Sequence, residues 1–182
     1  SGDDWYYLSD SGAMIIGWYP VGDHWYYFDE SGKMKTGWLQ SGDDWYYLSD
    51  SGAMIIGWYP VGDHWYYFDE SGKMKTGWLQ SGDDWYYLSD SGAMIIGWHP
   101  VGDHWYYFDE NGKMKTGWLQ LNGDWYHLYD GGQMIIGWYL VGDHWYYFDE
   151  TGRMKTGIQV INEIEYNLGT DGAWIKPEEN VG

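Results

Sequence analysis

Tryptophan and tyrosine are the residues of this chain whose type and spacing suit chemistry. Trp18 and Trp25 stand seven residues apart, Tyr26, Tyr27 and Phe28 follow directly, and the arrangement returns at Trp38 and Trp45, at Trp58 and Trp65, and onward. Aromatic residues make up 22% of the 182 residues and only four of them are Phe, so the aromatic content is almost all Trp and Tyr. Side chains with a flat π face and a polar tip suit a half-exposed binding surface better than a dry core. A repeated surface of this kind holds cations against its rings or stacks on sugars.

The remaining composition narrows the partners. Nine Lys and Arg against 28 Asp and Glu give a net charge of −19. That balance excludes nucleic acid, which needs basic side chains on its phosphates, and an anionic membrane surface. It suits a cationic or zwitterionic ligand. The chain contains no cysteine, so it has neither disulfide staples nor thiolate metal sites. No signal peptide or membrane-spanning run is present, and Ser1 falls inside a repeat linker, so the chain reads as an excerpt of something longer. An active site needs residues in unique roles, yet nearly every carboxylate and histidine here is a repeat copy. His24, His64, His104 and His144 read as linker residues. The acidic pairs Asp3-Asp4 and Asp29-Glu30 lack the ligand spacing of a calcium loop and read as solvated turns. No catalytic residue, metal site or cofactor is assigned.

The elements that must position the aromatic residues repeat. Residues 1–40 and 41–80 are identical, and residues 81–120 differ from them only at His99 and Asn111. Inside each forty lies a period of twenty, which places Trp5, Trp25, Trp45 and Trp65 in one register and Met14, Met34, Met54 and Met74 in another. A short fixed period signals a solenoid or similar array. Each twenty reads as a β-hairpin in which the aromatic strand Trp25–Phe28 turns at Asp29-Glu30-Ser31-Gly32 and returns as Met34-Lys35-Thr36, with a linker carrying Trp18. Counting aromatic starts gives nine hairpins, the last irregular. Alternation along the strand puts Trp25 and Tyr27 on one face and Tyr26 and Phe28 on the other. With Met34 and Thr36 inward, Lys35 faces water, and Ile15, Ile55, Ile95 and Ile135 become apolar spots that either pack under a linker or meet another chain. The organisation is residues 1–157 as the array and residues 158–182 as a divergent terminal repeat and capping tail, with Ile158, Glu165 and Trp174 standing where Trp, Trp and Met recur elsewhere.

The run GW-x6-WYYF-DxxG-xM-xTGW, held in one frame over residues 1 to about 157, resembles the choline-binding repeats of pneumococcal and related Gram-positive surface proteins. The resemblance implies an all-β, left-handed superhelix (a β-solenoid) of stacked hairpin repeats. It implies a non-catalytic module that binds choline or phosphocholine on wall teichoic and lipoteichoic acids, at the extracellular surface of a bacterial cell wall. In that family each site lies between successive hairpins and uses the Gly-Trp tryptophan, the strand tryptophan after it and the third aromatic of the following strand. On this chain those sets are Trp18, Trp25 and Tyr47; Trp38, Trp45 and Tyr67; Trp58, Trp65 and Tyr87; and Trp78, Trp85 and Tyr107. Trp98 and Trp105 meet His127 in third place, Trp118 and Trp125 meet Tyr147, and Trp138 and Trp145 meet Asn167, so the fifth and seventh sets are incomplete. Trp45 and Tyr47 share a strand face, which fits both looking into cages. Methionines of the Met34 type line such sites in the family.

The physics agrees with this resemblance. A quaternary ammonium donates no ordinary hydrogen bond and is held by the negative faces of two or three rings, each contributing on the order of 0.5–2 kcal/mol. Such a site has roughly millimolar affinity and becomes useful when repeated against a repeating polymer. The competing reading is a glucan-binding repeat module, since sugars also stack on Trp and Tyr. Few amide side chains are available to bond hydroxyls, which counts against it. A purely structural rod is the third alternative. A homodimer stays open through the tail and the isoleucine spots.

Overall fold

The computed structural model describes residues 4–177. They form two compact units, Ser1–Met94 and Ile95–Gly182. The first contains β1 (Gly17–Val21) with β2 (His24–Phe28), β3 (Gly37–Ser41) with β4 (Asp44–Leu48), β5 (Gly57–Val61) with β6 (His64–Phe68), and β7 (Gly77–Ser81) with β8 (Asp84–Leu88). The second contains β9 (Gly97–Val101) with β10 (His104–Phe108), β11 (Gly117–Leu121) with β12 (Asp124–Leu128), β13 (Gly137–Val141) with β14 (His144–Phe148), and β15 (Ile158–Ile161) with β16 (Ile164–Asn167). Each pair is a separate two-stranded antiparallel sheet.

The chain folds at a different reversal from the one expected. Each repeat contains two turns, and the strands pair across the tight one. In the first hairpin Gly17 pairs with Phe28, Trp18 with Tyr27 and Val21 with His24, leaving only Gly22 and Asp23 in the loop. Gly22 has φ +60, and a glycine of positive φ at the first loop position matches the twist of the flanking strands. The region expected to be a linker is therefore a strand. The Asp29–Gly32 turn joins hairpins instead. Asp29 Oδ1 accepts from the backbone N–H groups of Ser31 and Lys33, each at 3.0 Å, and from the Ser31 hydroxyl at 2.6 Å. What lies directly beyond it forms no strand and makes only isolated bridges, Met34 to Phe28 and Lys33 to Tyr6. Eight hairpins are present among the described residues, not nine, because Trp5–Leu8 makes only isolated bridges to Lys33 and Met14.

An isolated hairpin is barely stable in water, so stacking must supply the rest. Residues directly paired across strands lie on one face. In the β3–β4 hairpin, Trp38 pairs with Tyr47 and Gln40 with Trp45 on the first face, while Leu39 pairs with Tyr46 and Gly37 with Leu48 on the second. The second faces supply the core. Leu48, Phe68 and Leu88 are fully buried in the first unit, as are Phe108, Leu128, Phe148 and Leu168 in the second. Each buried side chain of this size contributes about 1.5–3 kcal/mol. Backbone bonds tie the stack as well. The Met54 N–H donates to Trp25 C=O at 2.8 Å across the intervening hairpin, Met74 does the same to Trp45, and Trp174 repeats the bond to Trp145. The divergent tail thus keeps the register of the array.

The exposed isoleucines also differ from expectation. Ile135 is buried, and Ile15, Ile55 and Ile95 are half-buried. The neighbouring Ile16, Ile56, Ile96 and Ile136 are the ones that stand in water, each 59–60% exposed. Thr36 is exposed beside Lys35 rather than turned inward.

Candidate cation cages between hairpins

Each site begins with two tryptophans of one hairpin face. Trp38 and Trp45 stand 6.2 Å apart between ring centroids at 85°, Trp78 and Trp85 are 6.2 Å apart, and Trp118 and Trp125 are 5.9 Å apart at 90°. Perpendicular rings form two walls of a box. The strand tryptophans stay open to water, with Trp25 46% and Trp105 47% exposed. Large aromatic side chains left this open in a regular array mark a binding surface.

The third wall comes from the second face of the next hairpin. Trp18 lies 4.8 Å from Tyr46, Trp38 4.9 Å from Tyr66 and Trp58 4.9 Å from Tyr86. In the second unit Trp98 lies 5.1 Å from Tyr126, Trp118 4.9 Å from Tyr146 and Trp138 4.8 Å from Tyr166. The structure therefore brings each of these Gly-Trp rings against the middle aromatic of the following strand, and Trp25, Trp105 and Trp125 share a groove with theirs. The third aromatic goes elsewhere. Tyr47 pairs across its own hairpin with Trp38 at 5.2 Å and packs on Tyr59 and Phe68 of the next. Tyr67, Tyr87, Tyr107 and Tyr147 likewise stand 5.1–5.3 Å from Trp58, Trp78, Trp98 and Trp138 of their own hairpins. They brace the back of the Gly-Trp ring. The physical reason is parity. Tyr47 shares its face with Trp38 and Trp45, whereas the hairpin that closes their cage presents its opposite face to them.

This change of residue removes the two apparent defects. His127 is a buried brace, 4.8 Å from Trp118 and 5.4 Å from Tyr139. Its Nδ1 has no hydrogen-bond partner among the described residues. Asn167 pairs with Ile158 at the hairpin edge and accepts from the Gly169 N–H through Oδ1 at 3.1 Å. Tyr126 and Tyr166 occupy the third-wall position instead.

Methionine closes the box. Trp18, Trp25, Tyr46 and Met54 line one open groove with Glu70 and Ser71. Trp98, Trp105, Tyr126 and Met134 line its counterpart with Glu150, Thr151 and Arg153. Trp118, Trp125, Tyr146 and Met154 line a third with Thr170 and Asp171. The acidic turn beside each groove arrives from a later repeat, and no local signal in the sequence announces it. At the end of the array Trp174 takes the methionine place, 5.9 Å from Trp138 and 5.8 Å from Tyr166. Lys176 Nζ lies 5.7 Å from its ring centroid. Among the described residues no cluster of His, Asp and Glu is arranged to hold a metal ion.

Comparison with known proteins points the same way. The family model for the choline-binding repeat matches residues 15–57, 55–97, 95–136 and 115–156, and a cell wall binding repeat matches residues 1–14. CbpJ from Streptococcus pneumoniae superposes with a TM-score of 0.87 at 35% identity, over 93% of this chain and 61% of its own. Choline binding protein F of the same organism gives 0.84 at 35% identity, over 94% and 61%. The choline-binding domain of CbpL from S. pneumoniae gives 0.70 at 26% identity, over 98% and 97%. The chain thus spans 61% of the length of the first two. The comparison with curated proteins gave no match. With its residues 15–156 matched repeat after repeat, and aromatic boxes standing between its hairpins, this chain belongs to the choline-binding repeat family.

Proposed function

We propose that the chain binds choline and phosphocholine, one per aromatic box, and so attaches its parent protein to choline-bearing teichoic and lipoteichoic acids outside a bacterial cell wall. The observation that carries the reading is the recurring box itself. Two perpendicular tryptophans, a tyrosine from the next hairpin and a methionine surround a space open to water on one side. Such a space suits a trimethylammonium group, whose charge is spread over methyl hydrogens that favour ring faces. A carboxylate nearby adds attraction without a directional bond, as Glu70 and Glu150 do. Sugars are commonly held by amide side chains beside a stacking ring, and the linings of these three grooves contain hydroxyls and carboxylates but no Asn or Gln.

Six Gly-Trp rings are described against the tyrosine of the next hairpin, at Trp18, Trp38, Trp58, Trp98, Trp118 and Trp138, and at Trp18, Trp98 and Trp118 the strand tryptophan and methionine line the same groove. Each site is individually weak, of roughly millimolar affinity. Linked copies facing a polymer with repeating ligands multiply that into retention at the wall. Calorimetric titration with choline, run beside glucose oligomers, tests the proposal. Saturable choline binding at no fewer than six sites is expected, with no heat from the sugar. Heat from sugar alone would transfer the chain to the glucan-binding class. Self-association through the exposed Ile16 and its copies is a separate question, and a monomer in sedimentation with and without choline would remove it.

A further inference from the structure

The Trp18 and Trp98 cages occupy equivalent repeat positions, and the second differs from the first in its polar rim. Both grooves have the same two tryptophans, tyrosine, methionine and glutamate, with Ser71 in one and Thr151 in the other. Arg153 lines only the second, at the repeat position that Lys73 holds in the first. Lys73 places its ammonium 2.6 Å from Asp44, so its charged end is engaged. Arg153 instead makes its contacts through Nε, 3.1 Å from Asp124 Oδ2 and 3.4 Å from the Tyr126 hydroxyl. So held, Arg153 borders its groove, which Lys73 does not. A donor is released in the same cage. The Trp18 and Trp58 indole N–H groups donate to Ser41 and Ser81 at 3.3 Å. Leu121 stands at that position for Trp98 and offers no acceptor.

A guanidinium fork beside a cation box does nothing for a bare quaternary ammonium. It suits a phosphate oxygen pair, which a guanidinium binds through two parallel N–H···O bonds. On the reading that these boxes hold choline, we propose that Arg153 makes the Trp98 cage selective for a zwitterion, with the trimethylammonium in the aromatic box and an attached phosphate on the guanidinium. The other grooves described, lacking a basic residue in their lining, accept the ammonium alone. Glu150 lines the same groove and opposes the anion. Replacing it with glutamine therefore strengthens the selectivity.

The test resolves sites through the indole ¹H–¹⁵N signals of the full chain, with Trp98→Phe and Trp18→Phe supplying the assignments. Choline, phosphocholine, glycerophosphocholine and inorganic phosphate are titrated separately at low ionic strength. The Trp98 signal should respond to phosphocholine at a concentration about fivefold lower than to choline, and the Trp18 signal at equal concentrations of both. Arg153→Gln should abolish that ratio, and Lys73→Arg should create it at Trp18. A response to glycerophosphocholine equal to that of phosphocholine identifies a diester within the polymer as sufficient; a response to phosphocholine alone identifies a terminal monoester. Both outcomes support the assignment. Equal choline and phosphocholine responses at Trp98, a ratio that survives Arg153→Gln, or saturation by inorganic phosphate alone would overturn it. Absence of any choline response at Trp18 and Trp98 would instead bring down the cage reading itself.

Discussion

At the residue scale, neighbouring tyrosines of one strand have different work. Tyr46 faces back onto Trp18 and closes a box, while Tyr47 braces Trp38 from behind. Tyr46→Ala is expected to remove one choline site from the calorimetric stoichiometry. Tyr47→Ala should keep the site count and destabilise the fold by about 2–4 kcal/mol, as loss of a packed aromatic ring does, read as a lower Tm. Swapped results would return the third wall to Tyr47. His127 carries a pH dependence of its own. Burial between Trp118 and Tyr139 pushes its pKa below 6.5, against the pull of Asp130 upward. The unfolded chain takes up this proton first as pH falls, so the stability is full above about pH 6.5 and declines below it. His127→Tyr installs the residue of the other repeats and should flatten the fall in Tm between pH 7 and pH 5 relative to the parent chain. Identical pH profiles for the two would show that the imidazole is not responsible.

At the scale of the element, the turn between hairpins matters as much as the strands. Gly72 has φ +78, and a Cβ there would lie within 2.4 Å of Met54 Sδ. Met54 is the residue that closes the Trp18 box. Backbone strain and displacement of the thioether thus act together. Gly72→Ala is expected to destabilise the stack by about 1–2 kcal/mol and to weaken choline binding at that box more than at the others. Gly62→Ala provides a control, because its φ of +60 is strained while a Cβ there meets nothing within 4 Å. Equal losses of choline affinity in both variants would deny the methionine its part. The same connectors are sensitive to acid. Burial raises the pKa of Asp149, but hydrogen bonds from Thr151, Lys155 and the backbone hold it at about 2. Its contribution is present above about pH 4 and is lost as pH falls toward 2. Asp149→Asn should therefore narrow the stability difference between pH 5 and pH 3 in circular dichroism melts.

For the whole molecule, ligand and stack are coupled. Every described box takes walls from two hairpins, so choline binds only where hairpins are stacked. Binding to the folded state alone raises stability by RT ln(1 + [L]/Kd) for each site, and the gain accumulates over the array. Choline at tens of millimolar should raise Tm by several degrees over sodium chloride of equal ionic strength. The salt control is needed because a chain of net charge −19 gains stability from screening alone. A Tm that follows ionic strength and ignores the identity of the cation would argue against ligand-linked stacking.

Much of this protein was legible in the sequence because repetition makes one repeat speak for all. The period of twenty residues and the all-β character follow from residue type and spacing within a single unit, and the grouping of Trp18 with Trp25 from the family resemblance that this unit carries. The tertiary structure decided the rest. Two turns per repeat were each able to close a hairpin, and the Gly22-Asp23 loop prevails because its positive φ matches the twist of the strands, while Asp29 consumes the other turn's amides. The third ring followed from which face of one hairpin meets which face of the next, a relation between repeats that alternation within a strand does not encode. For the same reason Ile16 rather than Ile15 reached water, and the acidic turn and Arg153 arrived at their cages from a later repeat. Within one repeat, local chemistry sets the structure; between repeats, only the stacking geometry does.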